Sequence, residues 1–363
     1  MKIPLSHAHV TDEMKQAVLR VIDSGRFILG PETRAFEEEF AASIGTRHAV
    51  AVANGTSAIQ LVLQALGVEP GQEVLVPAHT AFPTVEAVFD AGATPVFVDI
   101  DRTYTVDPAD LEAKITARTV GMVPVNLYGH PVDVGAMHRI ADRHGLFWIE
   151  DTCQSHGAKW GDRTIGSFGD AGAFSFYPSK NLTVFGDGGM VTTDRDDLAA
   201  AIRRLRDHGR SDKYTHEVVG YNMRFNEIQA AVGRIQLRNL AAYSDRRRAL
   251  ARGYTEALAG IVETPPEPAG GEAVYHLYVI QTDARDALAA FLKERGIETG
   301  VHYPLPNHRQ PATLARLKPA PPALPETERI AGRILSLPMF YELSDAERDF
   351  VVETVREFFG RAA

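Results

Sequence analysis

Cys153 is the only cysteine in a chain of 363 residues. A lone thiol excludes an internal disulfide, and also a metal or iron–sulfur site built from several cysteines of one chain. No stretch approaches the roughly 18 uninterrupted apolar residues that a membrane-spanning helix needs. The start, MKIPLSHAHV, has no long apolar run behind its lysine and does not read as a secretory signal. Positive charge is in deficit: 38 Lys and Arg against 47 Asp and Glu give a net charge of −9. General nucleic-acid binding needs a basic face, so that balance argues against it. A single anionic small molecule remains compatible, because it needs only a local cluster of amides and cations. Repeats and low-complexity tracts are also missing.

What is present is ordinary globular material, 45% apolar and 23% charged. The length suits a large domain followed by a smaller one; residues 1–245 and 246–363 are the expected division, and the cytoplasm the expected compartment. HAVAVA (48–53), EVLVP (73–77), TPVFVDI (94–100), VGMVPVNLY (120–128), LFWIE (146–150), AGAFSF (171–176) and GMVTT (189–193) read as strands. Helical patterns follow Thr56 and recur near 83–91 and 133–144, which predicts an α/β fold with a largely parallel sheet. A long helical pattern covers 224–258, and TPPEPAGGE near 264–272 is a Pro/Gly-rich break. Beyond it, VYHLYVIQT alternates as a strand, ALAAFLKERG is helical, and 344–359 is a helix opening on a Ser N-cap. The second domain is therefore expected to be α+β.

Ligands of open parallel sheets collect at the carboxyl ends of the strands, and three segments place chemistry there. Asp151 directly follows LFWIE; its carboxylate can hold a protonated ring nitrogen or simply cap a helix. Gln154 lies three residues on, close enough to help orient the same ring. Lys180 sits in FSFYPSKNLTVFGDGGM (174–190), with few charges around it and a proline and glycines that suggest a fixed loop. A lysine in a partly desolvated pocket gives up its proton more readily and can attack a carbonyl to form a Schiff base. Ser175, upstream of it, can offer a hydroxyl to a phosphate. In NGTSAIQ (54–60) a strand gives way to a helix at Thr56 and Ser57, where backbone amides favour a phosphate or serve an ordinary N-cap. That segment matches neither GxGxxG nor GxxxxGKS/T, so dinucleotide and ATP readings gain nothing. A phosphate seat, a ring-nitrogen partner and a Schiff-base lysine are together the requirements of a pyridoxal-phosphate site.

At these motifs the chain strongly resembles the DegT/DnrJ/EryC1/StrS family of fold-type I aminotransferases, mostly sugar and cyclitol enzymes. The likeness is carried by NGTSAIQLVLQAL, VPAHT, GATPVFVDID, IEDTCQSHGA, GDAGAFSFYPSKNLTVFGDGGMV, GYNMRFNEIQAAVGRIQL, GVHYPLP and LSLPMF. It implies a pyridoxal-phosphate transferase fold: a large domain on a mostly parallel seven-stranded sheet flanked by helices, plus a smaller α+β C-terminal domain. It implies that Lys180 holds pyridoxal 5'-phosphate covalently and shuttles protons, while Asp151 meets the pyridinium nitrogen and Gln154 lies against the ring. Thr56, Ser57 and Ser175 would hold the phosphate, with Asn222 of a second subunit, in a homodimer with shared active sites. L-glutamate would be the amino donor and a keto-sugar, nucleotide-linked, the acceptor, in amino-sugar biosynthesis.

Two departures stand out. The residue after VPAHT is usually an aromatic that stacks on the ring, and here it is Ala81, leaving His79 or Phe82 as substitutes. Asn226 stands where the family usually carries Ser or Thr. Arg224 can meet a nucleotide diphosphate, and His302 and Tyr303 can face the sugar; a solvated arginine and a structural His–Tyr pair are the plain alternatives. Competing functions are a keto-cyclitol or antibiotic-pathway aminotransferase, a dehydratase, a nucleotide-sugar dehydrogenase, and a pyridoxal-phosphate-binding regulatory protein without turnover. The lysine at 180 argues against the dehydratase, in which histidine replaces it, and the missing glycine fingerprint argues against the dehydrogenase.

Overall fold

The computed structural model describes residues 2–362. Two helices not anticipated above come first, α1 (Asp12–Ser24) and α2 (Pro31–Ile44). The first is amphipathic, buries Met14, Ala17 and Val21, and is capped by Thr11, whose hydroxyl accepts from the Met14 amide. The large domain then alternates: β1 (His48–Val52), α3 (Gly55–Ala65), β2 (Glu73–Pro77), α4 (Phe82–Asp90), β3 (Thr94–Val98), α5 (Pro108–Ala113), β4 (Thr119–Met122), α6 (Val134–His144) and β5 (Phe147–Asp151). A short hairpin, β6 (Lys159–Trp160) and β7 (Arg163–Thr164), leads into β8 (Ala171–Ser175), β9 (Gly189–Thr193) and α7 (Asp196–Leu205).

Seven of these strands form one sheet in the order β1-β9-β8-β5-β4-β2-β3. β9 is antiparallel to both of its neighbours, and the other strands run in one direction. Both faces are covered, which is why the strands read as continuous apolar runs. Val74 and Val76 face a core shared with α3, α4 and α7, while Leu75, Met122 and Trp148 face the α6 side. The run 120–128 is a strand only as far as Met122. Beyond it the chain turns through Tyr128, at φ 58, and Gly129, at φ 92, a left-handed pair that ends the extended backbone.

The helix predicted over 224–258 is α8 (Glu227–Leu258), capped by Asn226, whose side chain accepts from the Gln229 amide. The position 245/246 lies inside this helix. Its first half packs on α1 and α2, and its second half enters the C-terminal core through Leu250, Ala251, Tyr254 and Leu258. The remaining elements are β10 (Gly271–Glu272), β11 (Tyr278–Gln281), α9 (Arg285–Glu294), α10 (Pro311–Arg316), α11 (Pro325–Ala331), β12 (Ile334–Leu337) and α12 (Asp345–Ala362). β11 and β12 pair antiparallel, and Ile3 from the N-terminus joins their core. The strand expected from 274 begins only at Tyr278, because Tyr275 is left-handed at φ 43. Ser344 opens α12 as expected: its hydroxyl accepts from the Glu347 amide at 3.2 Å, and the Glu347 carboxylate accepts from the Ser344 amide at 2.8 Å. Among the described residues no helix is long and apolar enough to cross a membrane.

Candidate active site

β1, β2, β5 and β8 end on the same edge of the sheet, and a cavity of about 370 Å³ opens there. Thr56, Asp151, Gln154, Ser175 and Lys180 all line it, joined by Asn54, Gly55, Thr80, Ala81, Thr84 and Cys153. Strand ends, and the turns that follow them, therefore bring together residues far apart in sequence.

One end of the cavity is the start of α3. The Asn54 side chain accepts from the Ser57 amide at 2.8 Å and caps the helix. The amides of Gly55 and Thr56 meet no protein acceptor among the described residues, and their helix contributes its positive end. With the hydroxyls of Thr56 and Ser175 beside them, these donors fit a phosphate. Gly55 is required for the approach: a Cβ there would lie 2.8 Å from both Cys153 Sγ and Ser175 Cβ. Ser57 is buried below and does not face the cavity.

Asp151 closes β5 and is buried. Its Oδ2 accepts from Thr84 Oγ1 at 2.8 Å and its Oδ1 from the Cys153 amide at 3.1 Å. Two donors orient the carboxylate while leaving lone pairs for a cationic N–H. Gln154 is held at both ends: its Oε1 accepts from the Tyr128 amide at 2.9 Å, and its Nε2 donates to Tyr303 Oη at 3.2 Å.

Lys180 lies in the turn after β8, its amide donating to the Tyr177 carbonyl at 2.8 Å. The turn is pinned by Asn181 Nδ2 on the Val274 carbonyl at 3.1 Å and by Thr183 Oγ1 on the Phe176 carbonyl at 3.1 Å. Burial lowers the lysine pKa from its ordinary 10.5, with Cys153 and Asp151 opposing the shift. Burial also raises the Cys153 thiol and drops His156, behind the site, to about 3. Burial therefore favours the neutral form of both groups, a free amine at Lys180 and an un-ionised thiol at Cys153.

The remaining expected residues lie elsewhere. Tyr303 touches the site through Gln154, and His302 Nδ1 pairs with Ser336 Oγ at 2.9 Å. Arg224 donates to Asp207 Oδ1 at 3.1 Å, and Asn222 is exposed; neither lines the cavity of this chain. Ala81 does line it, whereas His79 and Phe82 do not. Thr84 and Tyr128 were not singled out by sequence. Thr84 lies in the first turn of α4, the helix that follows β2 from the ligand-bearing edge, and that placement is the signal that could have found it.

A lysine, a carboxylate and a helix start, set in one cavity of this sheet, are the groups a pyridoxal-phosphate site requires. Residues 8–356 match the model of the DegT/DnrJ/EryC1/StrS aminotransferase family, and the chain belongs to that family. It is 44% identical to the dTDP-3-amino-3,4,6-trideoxy-alpha-D-glucose transaminase of Streptomyces venezuelae, over 99% of this chain and 96% of the relative. It is also 44% identical to the UDP-N-acetyl-3-dehydro-alpha-D-glucosamine 3-aminotransferase of Acidithiobacillus ferrooxidans, over 96% and 94%. The crystal structure of S. venezuelae DesV in complex with a ketimine intermediate superposes with a TM-score of 0.95 at 44% identity, covering 99% of this chain and 98% of that one.

Proposed function

We propose that the cavity binds pyridoxal 5'-phosphate through Lys180 and uses it to pass an amino group from L-glutamate to a nucleotide-linked 3-keto sugar. The observation that carries this reading is the convergence of Lys180, Asp151 and the free amides of Gly55 and Thr56 on one cavity. The bound cofactor supplies an electron sink that stabilises a carbanion at the carbon bearing nitrogen. Thr56, Ser175 and the α3 amides would seat its phosphate, and Asp151 would keep its ring nitrogen protonated. Lys180, its pKa lowered by burial, loses a proton more readily than a solvated lysine. That would equip Nζ to hold the cofactor and to carry a proton at the substrate carbon. The two relatives named for 3-amino and 3-keto hexose nucleotides support the acceptor class.

The same reading includes a homodimer in which Asn222 reaches the phosphate of the partner's site. Asn222 lies beside exposed apolar residues that a partner would cover: Phe27 (47%), Ile28 (53%), Val218 (44%) and Val219 (94%). Ile28 bridges to Asn226, and Asn222 bridges to Asp207, which keeps these segments together.

The test is spectroscopic. Glutamate added to the cofactor-loaded protein should bleach its visible absorbance, and a dTDP- or UDP-linked 3-keto hexose should restore it. A protein that keeps its band in glutamate is a binder without turnover, and the proposal fails.

A further inference from the structure

Tyr128 is the residue whose conformation the fold explains least without a function. It is a bulky side chain at φ 58 and ψ 8, where L residues are rarely found, and it is only 5% exposed. Such a geometry persists only when its surroundings over-determine it. Here every polar atom of the residue is engaged. The amide donates to Gln154 Oε1 at 2.9 Å, and the carbonyl accepts from the Leu277 amide at 3.4 Å. The hydroxyl donates to the His302 carbonyl and lies 2.7 Å from His79 Nε2.

The hydroxyl has a single proton, and a carbonyl can only accept, so that proton belongs to His302 O. His79 must then donate through Nε2–H, which leaves Nδ1 as a bare acceptor; that atom has no partner among the described residues. Burial holds His79 at about 4, so the ring keeps this neutral tautomer near pH 7.

These bonds join two regions. On the large-domain side is the wall carrying Gln154 and the His79–Thr80 turn. On the other is the 300–307 segment, which arrives from the C-terminal domain. The segment is tied at both ends: by Tyr128 and Gln154 at His302 and Tyr303, and by Asn307. The Asn307 amide donates to the Ala78 carbonyl at 2.9 Å and its Nδ2 to the Thr80 carbonyl at 2.9 Å. The segment thus abuts the cavity at two lining residues, Gln154 and Thr80.

We propose that Tyr128 is a positioning residue for the acceptor half of the reaction. Its hydroxyl holds the 300–307 segment against the cofactor wall, where a sugar nucleotide, longer than glutamate, has to lie. This rests on the transamination proposed above. Glutamate needs only the cofactor end of the cavity and is indifferent to the tie.

Tyr128→Phe keeps the ring, the backbone and the Gln154 contact while deleting the hydroxyl. The account expects KM for a dTDP-linked 3-keto hexose to rise about tenfold, the size of effect that loss of a buried hydrogen bond produces. It expects the glutamate-driven bleaching rate to be unchanged. Hydrogen exchange on the cofactor-loaded protein supplies a readout independent of turnover. Amides of 300–307, that of Asn307 included, should exchange faster in the variant, with α8 unaltered. Unchanged acceptor kinetics with unchanged exchange would overturn the proposal. So would equal losses in both half-reactions with faster exchange throughout, which would mark a merely structural residue. Should the wild type itself ignore glutamate, the transamination reading fails, while the exchange comparison still decides whether the hydroxyl holds the segment.

Discussion

Asp151 and Lys180 reach the cavity from neighbouring strands, β5 and β8, and their roles differ because their surroundings differ. Asp151 receives two hydrogen bonds, whereas among the described residues no acceptor is aligned with Nζ of Lys180. Asp151→Asn keeps the shape and the Thr84 contact but removes the charge that, in the proposed function, faces the cofactor's ring nitrogen. Breaking a buried ion pair costs about 3 kcal/mol or more, so turnover should fall roughly 100-fold. Steady-state kinetics on the variant check this, and near-native kcat would contradict it. At this scale the sequence was informative where function rests on short chain segments at strand ends: Thr56, Asp151, Gln154, Ser175 and Lys180 all line the cavity. It was silent on Thr84 and Tyr128, whose significance comes from partners at positions 151, 154 and 302. It also left the ring-stacking position open; of the three candidates, Ala81 lines the cavity, and His79 and Phe82 lie outside its lining.

The element proposed to seat the phosphate is α3, and in that role it depends on how closely its first turn approaches β8. Gly55→Ala drives a methyl to within 2.8 Å of Ser175 Cβ and Cys153 Sγ, so the helix start must retreat from the cavity. Overpacking of this kind costs about 1–3 kcal/mol. We expect cofactor affinity to weaken by about five- to 100-fold, read by titrating the cofactor-free variant. Affinity equal to the wild type would mean that the turn does not carry the phosphate. Strands and helices with a clear period were legible in the sequence because burial on both sheet faces demands apolar runs. Two runs misled: 120–128 pairs in the sheet only as far as Met122, well before the left-handed Tyr128, and 274–282 passes the left-handed Tyr275 before its strand begins at Tyr278. α1 and α2 went unassigned, although the N-terminus of α2 is fixed by a distant residue: Glu227 accepts from the amides of Gly30, Glu32 and Thr33.

Across the whole molecule, several histidines are buried in neutral form, which makes the fold acid-sensitive. His79 sits at about 4 and His156 at about 3, both through burial, against 6.5 when unfolded. Folded values below the unfolded one mean that the unfolded chain binds more protons, so stability is full above 6.5 and falls as pH drops towards 4. At pH 5 each histidine should withdraw on the order of 2 kcal/mol. Urea unfolding of the cofactor-free protein should show a lower midpoint at pH 5 than at pH 7, and equal midpoints would refute this. α8 contributes to both the large and the small core, and the N-terminal Ile3 packs into the small one. The central claim concerns one amine in the assembled protein. Borohydride reduction of the cofactor-loaded wild type, followed by peptide mass spectrometry, should find the reduced pyridoxyl group on Lys180. A label on another lysine, or no label on a protein that holds the cofactor, would contradict the account.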